Sequence, residues 1–259
     1  MASVDFISSR ENSWLKDLRR LSRDTVAYRK QGQVWIEGEH LLAAAVASGR
    51  RLQTLVLAES LQEGALLQWQ SHAERTVVLP DALWREFTAL ESPARVGALL
   101  TWERSAAWRP DVATVVLDRL QDAGNVGSIL RCAAAAGVRD VFMTAGCAFA
   151  WSAKTLRAAM GAHFHLNIVE HCTFESVQAR LQVPLLATSS HAKQAVFDVP
   201  LDTPVGWVFG NEGAGVSDEW LAVVTTPVVI PQPGGMESLN VAAAAAICLF
   251  EAVRQRRAG

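Results

Sequence analysis

Three stretches of this chain carry side chains suited to holding a small charged molecule, and each follows an apolar run. In the first, Asn125, Gly127 and Arg131 form N-x-G-x-x-x-R, just after the buried-type run at 113–117. A guanidinium is a fixed cation with a planar donor fork, the shape that grips phosphate or carboxylate. A surface arginine, or one paired with Asp118 or Asp122, would give the same pattern. In the second, Glu212 stands among Gly210, Gly213 and Gly215 in V-F-G-N-E-G-A-G-V-S. Glycine permits backbone conformations and close approaches that a Cβ forbids, which serves a ligand cradle and a plain tight turn alike. In the third, M-E-S-L-N-V brings Ser238 and Asn240 to the start of a long alanine-rich segment. Ser238 suits a helix cap. Asn240, a middling helix former at an apolar helical start, offers an amide to a ligand or a partner loop.

Several chemistries are disfavoured by what surrounds these loops. No G-K-[ST] follows the glycines and no G-x-G-x-x-G follows a strand, so a nucleotide held through its phosphates is not supported. His163 and His165 alternate along an expected strand, but no further ligand stands at metal spacing, and no metal is expected. Cys132, Cys147, Cys172 and Cys248 are widely spaced, which suits buried free thiols in a reducing compartment.

The elements that must position the three loops alternate along the chain. Residues 10–30 are locally basic, with Trp14, Leu15, Leu18 and Leu21 near helical spacing, and read as one amphipathic helix. Its basic side is either a solvated face or an arm for phosphates. Residues 32–102 then alternate as strand and helix, with helices expected at 39–48, 61–72 and 84–90. The proline and mixed charges of 103–111 read as a linker. From residue 112, apolar strands at 113–117, 141–144, 164–169, 185–188, 207–209 and 228–230 alternate with helices, including 126–136 and a last one at 239–256. That pattern predicts a parallel sheet covered by helices on both faces. Ligands bind such sheets where strand ends feed helix starts. The alanines at 242–246 leave room for another helix or a second subunit.

With 259 residues, half of them apolar, the chain can bury a large core, and a net charge of −2 excludes a uniformly basic protein. The first residues lack the apolar run of a signal peptide, and the most apolar segment, 241–250, is too short to span a bilayer. The expected location is the cytoplasm, without membrane attachment.

Taken together, L-D-R-L-Q-D-A-G-N-V-G-S-I-L-R-C-A-A-A-A-G-V, V-F-G-N-E-G-A-G-V-S and I-P-Q-P-G-G-M-E-S-L-N-V-A-A-A-A-A-I-C-L-F-E-A-V-R-Q-R resemble the three ordered motifs of the SpoU (TrmH-like) family of SPOUT RNA ribose 2′-O-methyltransferases. K-T-L-R-A-A-M-G-A is similar to the family's stretch between the first two motifs. V-W-I-E-G-E-H-L-L-A-A-A-V-A-S-G is similar to the L30e-like domain that many members carry in front. The tail is most similar to the bacterial 23S ribosomal RNA guanosine 2′-O-methyltransferases. The resemblance implies an α/β fold in which a SPOUT-type parallel sheet at 112–259 ends in a C-terminal trefoil knot. A smaller L30e-like α/β domain for RNA at 1–102 would precede it. It further implies S-adenosylmethionine as cofactor, a homodimer, and structured RNA as substrate, ribosomal RNA before transfer RNA. A non-catalytic RNA-binding protein is the rival reading.

By position, the resemblance assigns Gly210, Ile230 and Leu239 to the cofactor pocket, with Thr188 and Ser238 adjacent. It assigns Asn125, Arg131, Glu212, Ser238 and Asn240 to the catalytic group. Two departures from the family pattern stand out: Gln232 where Met is common, and Ala123-Gly124 where a proline often precedes the Asn. The implied reaction carries a methyl group to a ribose 2′-hydroxyl. A free guanidinium has a pKa above roughly 12, so Arg131 is expected to clamp a phosphate and not to remove the proton.

Overall fold

Runs rich in Val, Leu and Ile become strands and the alanine- and charge-rich stretches between them become helices. Branched side chains fit a pleated surface, and alanine loses least in a helix. The computed structural model describes residues 3–61, 68–86, 88, 94–104, 108–189 and 191–258. The chain divides into two units, residues 1–103 with 151–164, and residues 104–150 with 165–259.

The first unit runs β1 (Ser3–Phe6), α1 (Ser13–Arg23), α2 (Ala27–Gln31), β2 (Gln33–Glu37), α3 (Glu39–Ala47), β3 (Leu52–Ala58), β4 (Ala73–Leu79), α4 (Asp81–Trp84) and β5 (Val96–Thr101). Its sheet has the order β1-β4-β3-β5-β2, with β5 antiparallel to both neighbours. Strand β1, which the sequence pattern did not suggest, pairs in parallel with β4. Leu15 and Leu18 of α1 pack with Trp35, Val56, Val77 and Trp84 in one core.

The single basic helix expected at 10–30 is two helices. Asp24 ends α1 in extended backbone, and its carboxylate accepts from the Val26 N–H at 3.0 Å. Part of the positive charge is neutralised, since Arg10 and Arg19 both pair with Glu86, at 2.7 and 2.6 Å, while Lys16, Arg20, Arg23 and Lys30 stay exposed. Of the helices expected nearby, half of 61–72 lies outside the described residues, and 68–70 are helical. The one at 84–90 is instead α4, which ends at Trp84; residues 85 and 86 form a turn, and half of 85–90 lies outside the described residues.

The helix Ala153–Ala159 belongs to this first unit. It ends at Met160 and Gly161, both left-handed, and a Cβ on Gly161 would stand 2.6 Å from that of Ala44 in α3. Residues 162–165 form a 3-10 turn, and the strand expected at 164–169 starts later, at Asn167. His163 is therefore buried beside Trp151, with ring centroids 4.7 Å apart, and alternates with nothing.

The second unit holds β6 (Thr114–Asp118), α5 (Ala123–Ala135), β7 (Asp140–Thr144), β8 (Asn167–Cys172), α6 (Phe174–Gln178), β9 (Leu185–Thr188), β10 (Gln194–Ala195), β11 (Gly206–Gly210), α7 (Asp218–Leu221), β12 (Thr226–Val229) and α8 (Val241–Ala258). Its seven strands are all parallel, in the order β10-β12-β9-β11-β6-β7-β8. Every residue of β6, β7 and β11 is buried, as a sheet covered on both faces requires. The parallel sense places the strand ends Asp118, Thr144, Thr188, Gly210 and Val229 along one edge.

Two helix starts differ from the sequence pattern. Asp122 accepts from the Asn125 N–H at 2.9 Å, so α5 begins at Ala123, a turn earlier than expected. Asn240 accepts from Ala242 N at 2.9 Å and Ala243 N at 3.3 Å, so α8 begins at Val241. Ser238, Leu239 and Asn240 are therefore loop residues, and the cap is Asn240, not Ser238. The alanine-rich start of α8 packs along α5, with Ala244 and Ala245 buried. Among the described residues no helix is long and apolar enough to cross a membrane.

Candidate active site

At the ends of β9, β11 and β12 lies a cleft of about 700 Å³. The residues expected around a cofactor, Thr188, Gly210, Ile230, Ser238 and Leu239, all line it. Glu212 and Asn240 line it too.

One wall is the glycine loop after β11. A Cβ on Gly210 would stand 2.2 Å from the backbone of Gly215 and Val216, so no other residue fits there without moving the loop. Asn211 and Gly215 exchange backbone hydrogen bonds at 3.0 and 2.9 Å, and Gly215 is left-handed at φ +71°. The Asn211 side chain fills the turn: its oxygen accepts from the Gly213 and Ala214 N–H groups at 3.0 Å each. Its nitrogen donates to the Arg119 carbonyl at 2.9 Å. The glycines thus build a tight turn, and that turn is the wall of the cleft.

A buried carboxylate anchors the far end of this wall. Asp118, at the end of β6, accepts from Ser217 N at 2.8 Å and from the Thr144 hydroxyl at 3.3 Å. Arg119 follows in left-handed backbone at φ 56°, fixed by its N–H to Thr144 and its carbonyl to Asn211. Asp118, Arg119 and Asn211 were not singled out as site residues in the sequence. The legible signals were a charge ending an apolar strand and an Asn opening a glycine turn.

Three of the expected catalytic side chains form one relay. The Asn240 side-chain nitrogen donates to the Asn125 oxygen at 3.0 Å, and the Asn125 nitrogen donates to Glu212 at 3.1 Å. Glu212 also accepts from the backbone N–H groups of Asp122 at 3.1 Å and Gln121 at 3.3 Å. Partial burial disfavours its charge, but the bonds from Asn125 and from backbone N–H groups outweigh this and hold its pKa below the usual carboxylate range. Glu212 is therefore an ionised strut joining the first and second loops. Ser238 lies in the cleft lining beside Asn240.

Arg131 does not join them. With α5 beginning at Ala123, it sits about two turns into the helix, and six residues beyond Asn125 it points about 120° away around the axis. It is exposed, and among the described residues it has no hydrogen-bond or ion-pair partner. The helix start expected at 126 would set Arg131 about one turn in, and the Asp122 cap sets it a turn deeper.

The third loop turns at Gln232, whose carbonyl accepts from the Gly235 N–H at 3.2 Å across Pro233 and Gly234. Gln232 belongs to the cleft lining, and its amide oxygen, sealed from solvent, has no hydrogen-bond partner among the described residues.

Residues 113–250 match the SpoU rRNA Methylase family. An uncharacterized tRNA/rRNA methyltransferase of Synechocystis is 33% identical, over 98% of this chain and 96% of its own length. The 23S rRNA (guanosine(2553)-2′-O)-methyltransferase RlmP of Bacillus subtilis is 30% identical, over 94% and 97%. Among solved structures, the SpoU methyltransferase AviRb of Streptomyces viridochromogenes, crystallised with the cofactor AdoMet, superposes with a TM-score of 0.87 at 27% identity. That match covers 96% of this chain and 100% of AviRb. Fold, motif order and family match agree, and the chain belongs to the SpoU rRNA methylase family.

Proposed function

We propose that this protein transfers a methyl group from S-adenosylmethionine to a ribose 2′-hydroxyl of 23S ribosomal RNA. The observation that carries the reading is the Asn240–Asn125–Glu212 relay at a cleft walled by the glycine loop, in a chain of this family. RlmP, named for the same transfer to 23S ribosomal RNA, aligns along nearly the whole chain.

The cleft fits the cofactor. Its volume of about 700 Å³ falls within the roughly 300–1,000 Å³ of small-molecule sites. Val216, Ile230 and Leu239 give an apolar side for a base, while Ser189, Glu212 and Glu237 give a polar side for a charged tail. Gly210, Ile230 and Leu239 would hold the cofactor, with the hydroxyls of Thr188 and Ser238 beside it. When bound, it supplies an electrophilic methyl group on a sulfonium.

The chain's own part is positioning. Asn125 and Asn240 lock the first and third loops to Glu212, so that the ribose hydroxyl meets a fixed row of polar atoms and its proton departs to solvent. Glu212, with its lowered pKa, orients this row and is a poor store for a proton. Holding the reacting atoms in line is itself worth orders of magnitude in rate.

The phosphate clamp falls to Arg131, which stands outside the cleft of its own chain. A homodimer answers this, with Arg131 of the partner subunit meeting the RNA at the cleft. Support comes from the guanidinium's exposure and lack of a partner among the described residues. The C-terminal loop is read as a trefoil knot, supported by the family and by the crossing order that sets β12 between β9 and β10. The first unit is read as an L30e-like RNA-binding domain, on the motif and its mixed α/β sheet. A cytoplasmic location belongs to the same reading, supported by the likeness to the bacterial enzyme RlmP.

Purified protein with deuteromethyl-labelled S-adenosylmethionine and ribosomal RNA from a strain lacking the gene tests this. Nucleoside mass spectrometry is expected to show one labelled 2′-O-methyl nucleoside from 23S RNA. Label on a base, or none on any ribosomal RNA or subunit, overturns the reading.

A further inference from the structure

Arg119 sends its two backbone groups to opposite neighbours. Its N–H donates to the Thr144 hydroxyl at 3.0 Å, at the end of β7, while its carbonyl accepts from the Asn211 side chain at 2.9 Å, just past β11. Strands β7 and β11 flank β6 on opposite sides. In extended backbone the N–H and C=O of one residue point toward the same neighbouring strand. A strand that simply continued past Asp118 could not make both bonds, and the left-handed turn at φ 56° makes them. An L side chain disfavours that conformation, which persists only where the surroundings fix it. One residue earlier, the Asp118 carboxylate accepts from Ser217 N at 2.8 Å. Asn211 and Ser217, the two ends of the glycine loop, are thus tied to consecutive residues of one corner. The residues between those ends, 212–216, line the cleft.

We infer that Arg119 is a positioning residue for the cofactor, its left-handed backbone fastening the glycine loop in the shape that S-adenosylmethionine meets. The inference rests on the cleft being the cofactor site. Gly213 and Gly215 give the loop backbone freedom that binding would otherwise have to freeze, at a cost in affinity. The tie through Asn211 removes that freedom beforehand. One side chain both fills the turn, accepting from the Gly213 and Ala214 N–H groups, and joins it to the Arg119 carbonyl. The role therefore belongs to the backbone of Arg119 and not to its guanidinium. Glycine adopts left-handed backbone freely, whereas a β-branched residue is an outlier there.

The test is S-adenosylhomocysteine binding, read by calorimetry on the full chain at a temperature where each variant is folded. Arg119→Gly and Arg119→Val both lose the guanidinium that meets Asp118 at 3.4 Å, and they differ in whether the left-handed corner is tolerated. Arg119→Gly, conservative for the backbone, is expected to bind within about twofold of wild type, and Arg119→Val at least about tenfold more weakly. Asn211→Asp keeps an acceptor for the Gly213 and Ala214 N–H groups but cannot donate to the Arg119 carbonyl. It is expected to lose about tenfold as well, and it carries the test should Arg119→Val fail to fold. A merely structural corner would lower melting temperatures without touching the affinity of the folded protein. Full affinity in Arg119→Val or Asn211→Asp, or equal losses in Arg119→Gly and Arg119→Val, overturns the inference while leaving the cofactor site intact. A wild type that binds no S-adenosylhomocysteine overturns the cofactor reading and this inference with it.

Discussion

Asn240 donates its side-chain N–H to the Asn125 oxygen at 3.0 Å, across 115 residues of chain. The same Asn240 spends its oxygen on the N–H groups of Ala242 and Ala243, so one amide both starts α8 and fastens it to the first loop. Asn125 passes the bond on to Glu212, and the three loops become one rigid object.

These two duties of Asn240 separate by substitution. Asn240→Ala is expected to lose about 1 kcal/mol of stability, the usual worth of a cap, and to lower kcat about a hundredfold through misplacement. Asn240→Asp keeps an acceptor for the cap but cannot donate to Asn125. It is expected to melt near wild type while remaining as slow as the alanine variant. Thermal melts beside single-turnover rates check this, and recovery of rate in Asn240→Asp would show that the bond to Asn125 is idle.

At Gly210 the expected cost is steric. A Cβ 2.2 Å from the Gly215 and Val216 backbone forces the cleft wall outward. Gly210→Ala is expected to destabilise the fold by about 1–3 kcal/mol, the range for overpacking, and to weaken S-adenosylhomocysteine binding at least about tenfold. Calorimetry and melting curves read the two effects, and unchanged affinity would place the cofactor away from this wall.

For Glu212 the direction of the pKa sets a pH window. Its folded value lies below the ordinary 4.5, so its contribution to stability is present above that value and is lost as pH falls through the lower, folded one. The melting-temperature gap between wild type and Glu212→Gln is expected to stay constant from about pH 8 to 6 and to close below about pH 4. A gap that changes near neutrality would mean that Glu212 titrates there and acts as a base.

If Arg131 serves the partner's cleft, two inactive variants should rescue each other. Mixing Arg131→Ala with Asn240→Ala and allowing subunit exchange gives mixed dimers with one intact site. Recovery of about a quarter of wild-type activity is expected, from half the dimers carrying one site of two. Activity no higher than the inactive parents would return Arg131 to its own chain's site or remove it from the reaction.

What local chemistry dictates was legible in the chain. The alternation of apolar strands and helices from residue 112 gave the parallel, doubly covered sheet, because burial on both faces demands continuous apolar runs such as 114–117 and 206–209. The glycine turn was legible from its own residues, whereas Thr188, Gly210, Ile230, Ser238 and Leu239 were singled out through the resemblance to the family's motifs, and the structure lines one cleft with them. Helix starts were less so, since Asp122 and Asn240 compete with neighbours that look equally able to cap. Only the tertiary structure decided which residues meet. The Asn240–Asn125–Glu212 relay joins three distant segments, and nothing in any one of them encodes the others. The same holds for Asp118 beneath Ser217, the 151–164 segment packed in the first unit, and Arg131 turned away from the cleft. Local sequence sets torsions and burial, whereas hydrogen bonds between loops depend on how the strands order themselves in the sheet, and no short stretch of chain carries that order.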